Sequence, residues 1–336
     1  MGSAFLFAFH FPPGKQTENS MNLIVSQALV RSRLAAWWHA LVRLAGFTLV
    51  GTAILVTPHQ PAPQDGRLQQ QVQQLSAEIQ QLKQEQTMPS MVLTRYRNSI
   101  CYIYGVYNVG RPGHRPGLRA RLSGTGFMVG DGLAATNRHV AEPWYEDPDA
   151  DALMRRGATP ELEKLVAFFP GSPTPVTVTP IILSAKSDVA LLRVESTPSN
   201  RQLEPLPLAK SPTPPGELVT VIGYPMGIAG MVAKSPPAVY ERLAYRHDDI
   251  GAANELAALS LIRPSATVGH LGDVVGDKLI YDAPTAHGGS GGPVFNSRGE
   301  VIGVNAAYMD GFSGGTLGVA VEALRPLIQA AEKRKF

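Results

Sequence analysis

Three kinds of patterning follow one another along the 336 residues. From Leu34 to Thr57 the chain is mostly apolar, interrupted by His39 and Arg43, and long enough to cross a bilayer. Arg31 and Arg33 precede this stretch, and no basic cluster directly follows it. The positive-inside rule then predicts a cytoplasmic tail over 1–33, a transmembrane anchor over 34–57 and an extracytoplasmic remainder. Trp37 and Trp38 suit the headgroup level. A cleaved signal peptide with Leu44–Val56 as its apolar region is the competing reading, although no small-x-small cleavage site precedes Pro58. Next comes a linker over 58–91, glutamine-rich over 67–86 and set off as a separate stalk by Pro58, Pro61 and Pro63 before it and Pro89 after it, with apolar residues at Leu68, Val72, Leu75, Ile79 and Leu82. Alternating steps of four and three make a heptad seam, with leucine at d and β-branched residues at a, which favours parallel two-stranded coils. The seam lasts under three heptads, so a single amphipathic helix packed on its own domain is the alternative. From Val92 onward short apolar runs alternate with Gly/Pro/Asp turns, the pattern of an all-β barrel or sandwich. Pro160–Phe169 and Ala252–Leu261 read as helices within this region, and a terminal helix is expected over about 322–335.

Composition narrows the partners. A net charge of +3 with no dense Lys/Arg block gives no phosphate-tracking surface, so no nucleic acid is expected. The single cysteine, Cys101, excludes an intrachain disulfide and reads as a core thiol on an apolar strand. The histidines have no metal-ligand spacing, and neither a phosphate loop nor a dinucleotide fingerprint is present, so no metal or cofactor is expected.

The candidate chemistry lies in three segments. His287-Gly-Gly-Ser290-Gly-Gly-Pro293 is a turn between the strand-like Lys278–Tyr281 and Val294-Phe295. Its glycines let the backbone bend and let a substrate carbonyl approach a hydroxyl flanked by N–H donors. Gly124 to Ala141 reads as strand, Gly-Asp-Gly turn and second strand, ending at His139. Ser187-Asp188 enters the buried run that ends at Val194. The chain order His139, Asp188, Ser290 is one of the orders in which serine hydrolases assemble a triad.

With these motifs the chain resembles the trypsin-like serine proteases of the Deg/HtrA (high-temperature-requirement) family. Leu206–Lys210, the run from Gly216 to Gly227, Asp282-Ala283, Val301–Ala306 and Gly318–Val321 share in the resemblance. It covers roughly Val92 to the C-terminus and implies a protease domain over 92–336 made of two packed six-stranded antiparallel barrels. Barrel one would span about 92–200 and barrel two about 206–322. The resemblance further implies that Ser290 is nucleophile, His139 general base and Asp188 its orienting carboxylate. The oxyanion hole would involve Gly288, Gly289 and Ser290. Family members often carry a side chain at the position of Gly289, so a flexible oxyanion loop is expected here. Thr285, Ala286, His287, Val304, Asn305 and Ala306 would line the substrate pocket, favouring a small aliphatic side chain, with an acidic one as the alternative. Insertions over 142–169 and 229–263 depart from the family's minimal pattern, and no PDZ module is expected after Val321.

The expected protein is thus a membrane-anchored extracytoplasmic serine endopeptidase of protein or peptide substrates, single-pass in the inner (plasma) membrane and homo-oligomeric. The resemblance suggests trimers and the heptads dimers. A catalytically weak binding or scaffold protein on the same fold is the alternative, and an esterase is a third reading.

Overall fold

The structure is a computed structural model that describes residues 64–333, apart from 112, 114–116, 198–199, 201–202 and 309–314. Its strands close into two antiparallel barrels. The first contains β1 (Ile100–Gly110), β2 (Leu118–Gly130), β3 (Leu133–Thr136), β4 (Thr159–Phe168), β5 (Val176–Leu183) and β6 (Ala190–Val194), in the order β1-β2-β3-β6-β5-β4. The second contains β7 (Leu218–Gly223), β8 (Ser265–Val275), β9 (Lys278–Tyr281), β10 (Pro293–Phe295), β11 (Val301–Tyr308) and β12 (Thr316–Ala320), in the order β10-β11-β12-β9-β8-β7. Closure leaves no free sheet edge, which suits short strands with a mixed apolar pattern.

The barrels share a core rather than merely touching. Tyr102 of β1 lies 6.0 Å from Phe168 of β4 and 5.7 Å from Tyr224, just beyond β7. The buried Tyr224 hydroxyl donates to Ile100 O at 2.9 Å, so its polar tip is satisfied where its ring packs.

Three sequence expectations need correction. The fold-class expectation fails in its N-terminal part: among the described residues no helix is long and apolar enough to cross a membrane. The stretch 34–57, to which the anchor was assigned, and the tail over 1–33 lie outside the described residues. Second, Pro160–Phe169 is not a helix but β4, which pairs with β1 from Val109↔Pro160 to Tyr102↔Phe168. Its Glu161, Glu163 and Lys164 suit a helix, yet its inward side chains close the barrel, and tertiary pairing overrides weak local propensity. The insertion after His139 is therefore shorter and carries one helix, α3 (Pro148–Met154), capped by Asp147 accepting from Ala150 N at 2.8 Å.

Third, the glutamine-rich segment is part of α1 (Gln64–Tyr96), which runs through Pro89 instead of ending there. Proline lacks an N–H and usually interrupts a helix. Here Met88, Val92 and Tyr96 are buried in the protein core, and Tyr96 stacks on Phe295 of β10 at 5.9 Å. Packing of the last turns holds the helix across the missing bond. The second insertion forms α4 (Gly227–Ala233), α5 (Pro237–Leu243) and α6 (Asp249–Ala258), buried through Met231, Leu243 and Leu256. Before these, the short α2 (Arg138–Ala141) follows β3, and α7 (Val321–Lys333) closes the described chain.

Candidate active site

His139 sits in the single turn of α2, directly after the buried strand β3. Its Nδ1 lies 2.7 Å from Asp188 Oδ2, and its backbone N–H donates to Asp188 Oδ1 at 3.0 Å. One carboxylate thus holds both the ring and the backbone of the histidine. With the proton on Nδ1, Nε2 is left as the base. The neighbours brace this corner. Asn137 Nδ2 donates to Asp188 O at 2.8 Å, and Arg138 reaches both Glu142 (2.7 Å) and Ser184 O (2.9 Å). Barrel two adds a support: Ser187 Oγ donates to Asp277 Oδ2 at 2.5 Å, one residue from Asp188.

Ser290 lies on the loop between β9 and β10. Its Oγ donates to Ala306 O at 2.7 Å. Its carbonyl accepts from Thr125 N at 2.8 Å, tying the loop to β2 of the other barrel. Gly288 and Gly291 both have φ of 89°, a conformation that strains any residue with a Cβ. At Gly288 a Cβ would lie 2.6 Å from Tyr224 O, and at Gly291 it would collide with Thr125 O.

The oxyanion donors depend on how the His287–Gly288 peptide faces. His287 O accepts from Met226 N at 2.7 Å, which points the trans Gly288 N–H the opposite way. Gly288 O in turn accepts from Thr125 Oγ1 at 2.7 Å. Among the described residues, the N–H groups of Gly288 and Ser290 have no hydrogen-bond acceptor. Two free donors flanking a nucleophile are the arrangement an oxyanion requires.

Gly289 is bonded through both its N–H and its carbonyl. Its N–H donates to Ala286 O at 2.9 Å, and its carbonyl accepts from Asn305 Nδ2 at 2.9 Å and from Gly292 N at 3.1 Å. A Cβ there would lie 2.6 Å from Thr285 Oγ1, so close packing accounts for the glycine. The pocket residues divide. Thr285, Ala286 and Ala306 are half-buried and His287 is exposed, whereas Val304 and Asn305 are fully buried. Asn305 acts from beneath: Nδ2 also reaches Thr285 Oγ1 at 3.0 Å, and Oδ1 accepts from the Tyr281 hydroxyl at 2.7 Å.

Thr125 escaped the reading of the sequence. It is fully buried, donates to Gly288 O and accepts from Tyr224 N at 3.1 Å. Thr136 Oγ1 donates to its carbonyl at 2.7 Å. The one available signal is a hydroxyl residue between two glycines, where β2 passes from its exposed, arginine-bearing half to its buried half.

The trypsin-like peptidase domain family matches residues 124–304. The chain belongs to that family. Among curated relatives it is 28% identical over 217 residues to a "Probable periplasmic serine endoprotease DegP-like" of Brucella suis, covering 64% of this chain and 33% of that protein. It is 31% identical over 183 residues to "Protease Do-like 2, chloroplastic" of Arabidopsis thaliana, covering 54% and 23%. The chain thus spans about a third or less of the length of these relatives. Among solved structures it is similar to a serine endoprotease from Yersinia pestis, with 17% identity, 73% and 67% coverage and a TM-score of 0.47. It is also similar to the active form of the Rv3671c protease of M. tuberculosis, with 18% identity, 71% and 82% coverage and a TM-score of 0.46. The Deg/HtrA resemblance read from the motifs agrees with the curated relatives.

Proposed function

We propose that this chain is an extracytoplasmic serine endopeptidase that cleaves protein substrates through an acyl-enzyme. The observation that carries this reading is the Asp188-held His139 together with a glycine-shaped Ser290 loop, tied to barrel one through Thr125, whose Gly288 and Ser290 N–H groups have no acceptor among the described residues. Ser290 Oγ leaves Ala306 O, turns to His139 Nε2 and attacks the scissile carbonyl as His139 takes its proton. The Gly288 and Ser290 N–H groups receive the developing oxyanion, and Asp188 stabilises the imidazolium. His139 then protonates the leaving amine, and water, deprotonated by the same histidine, releases the acyl group. The extracytoplasmic placement is supported by the bacterial relative, a probable periplasmic endoprotease. Thr285, Ala286 and Ala306 are small and half-buried, which supports preference for a small aliphatic side chain before the cut.

A second reading, a protease-fold binding protein with little turnover, is favoured by one observation: the Ser290 hydroxyl is hydrogen-bonded to Ala306 O. A fluorophosphonate probe separates the two. Labelling of the wild type but not of Ser290→Ala, with loss of roughly 10⁶ in kcat on a protein substrate, supports the peptidase. No labelling of either protein, even with substrate present, supports the binding protein. Turnover of esters but not of peptides would instead support an esterase.

A further inference from the structure

The heptad seam takes no part in the site or in the folding of its own domain. From Gly66 to Lys83 every residue of α1 is exposed. Leu68, Val72, Leu75, Ile79 and Leu82 are each between 51% and 60% exposed, an apolar stripe that a lone helix would not keep in water. The helix meets its own domain only further on, through Met88, Val92 and Tyr96. Met88 falls six residues beyond Leu82, off the four-three alternation, so the exposed stripe and the packed face are separate surfaces.

The polar positions beside the stripe say what covers it. With leucines at d and Val72 and Ile79 at a, Glu78 occupies a g position and Lys83 the following e position. In a parallel in-register pair, g of one helix faces the next e of the other. Glu78 then meets a positive charge on the second helix and Lys83 a negative one, twice per pair. The preceding g and e positions are the neutral Gln71 and Ser76, so no like charges oppose each other at either heptad. An antiparallel pair would set g against g and e against e, and would lose this match.

We propose that the exposed part of α1 is a dimerisation stem, pairing in parallel and in register with the same segment of a second copy of this chain. Leu68, Val72, Leu75, Ile79 and Leu82 form its seam, and Glu78 of each copy faces Lys83 of the partner subunit. β-Branched residues at a with leucine at d select two strands. The stem has under three heptads, so the association depends on concentration. The inference stands on α1 alone, whether or not Ser290 turns over substrate.

Sedimentation of the full chain over a concentration series tests it. The wild type is expected to pass from monomer to dimer. Leu75→Asp is expected to abolish the dimer, and because Leu75 is exposed the barrels stay folded, which circular dichroism checks. Glu78→Lys and Lys83→Glu are each expected to weaken self-association by roughly tenfold. Mixing these two variants is expected to restore pairing, because each then meets its opposite charge. Val72→Cys is expected to form an intersubunit disulfide at its own position, as only the parallel register allows. A wild type that stays monomeric, a trimer, a dimer that survives Leu75→Asp, or a Val72→Cys dimer that does not cross-link would each overturn the proposal. A stem covered by residues 1–63 of its own chain would show as the first of these.

Discussion

The two halves of the candidate site are built in opposite ways. The His139–Asp188 corner of barrel one is held by side chains: a single carboxylate takes both hydrogen bonds that position the histidine. The Ser290 loop of barrel two is held mainly by its backbone, through Gly289 N to Ala286 O, Gly291 N to Asn305 O and Met226 N to His287 O. The first arrangement concentrates its dependence on one residue. The second spreads it over many bonds and is vulnerable to added volume rather than to a lost group. Thr125 joins the two, since it belongs to a strand of barrel one and holds Gly288 of barrel two.

That contrast is tested most severely at Asp188. Asp188→Asn keeps the shape of the side chain but favours the wrong histidine tautomer, and kcat is expected to fall by about 10⁴ with little change in KM. An intact folded spectrum with that loss would locate the dependence in the carboxylate. On the other side, Gly288→Ala brings a methyl group 2.6 Å from Tyr224 O at φ 89°. The peptide must rotate to relieve this, and loss of the oxyanion donor is expected to reduce kcat by about 10²–10³. Equal activity in that variant would show that the Gly288 N–H is not used.

A smaller change is expected from Thr125→Val, which keeps the shape but removes the hydroxyl. Gly288 O and Tyr224 N are then left without their partner in a buried place, at a cost of about 1–3 kcal/mol each. Thermal denaturation should show the loss, and kcat should fall with it if Thr125 orients the nucleophile loop. The smallest effect concerns Cys101 in barrel one. Burial pushes its thiol up to about 12, so it stays protonated and inert at pH 8 in the folded protein. Alkylation should appear only as the protein unfolds; rapid modification of the native state would mean that barrel one opens locally.

The asymmetry also explains what was legible in the sequence. Catalytic side chains with stated roles reveal themselves by type and order, and the structure brings His139 to Asp188. Backbone devices do not. That His287 O is fixed by Met226 N depends on a contact between segments sixty residues apart in the chain. Gly289 shows the same limit: the sequence does not tell that a Cβ there would lie 2.6 Å from Thr285 Oγ1. Strand β4 was misread because its exposed charges resemble a helix face, and its identity comes from β1, some fifty residues away. Pro89 read as a boundary because local chemistry favours one, and burial of Met88 and Val92 on either side overrides it.

The stacking of Tyr96 on Phe295 has a mechanical consequence. Phe295 ends β10, the strand that leaves the Ser290 loop, and the same helix end places Met88 Sδ 3.9 Å from the Thr220 hydroxyl on neighbouring β7. The packed end of α1, unlike the exposed stem before it, is therefore not a tether that proteolysis or truncation could remove cleanly. A cut before Met88 would leave Met88, Val92 and Tyr96 packed in the core; a cut beyond Tyr96 would remove all three and uncover Phe295 of β10. The helix end thus packs on β10 five residues beyond Ser290, so its loss is a loss of core packing next to the nucleophile loop.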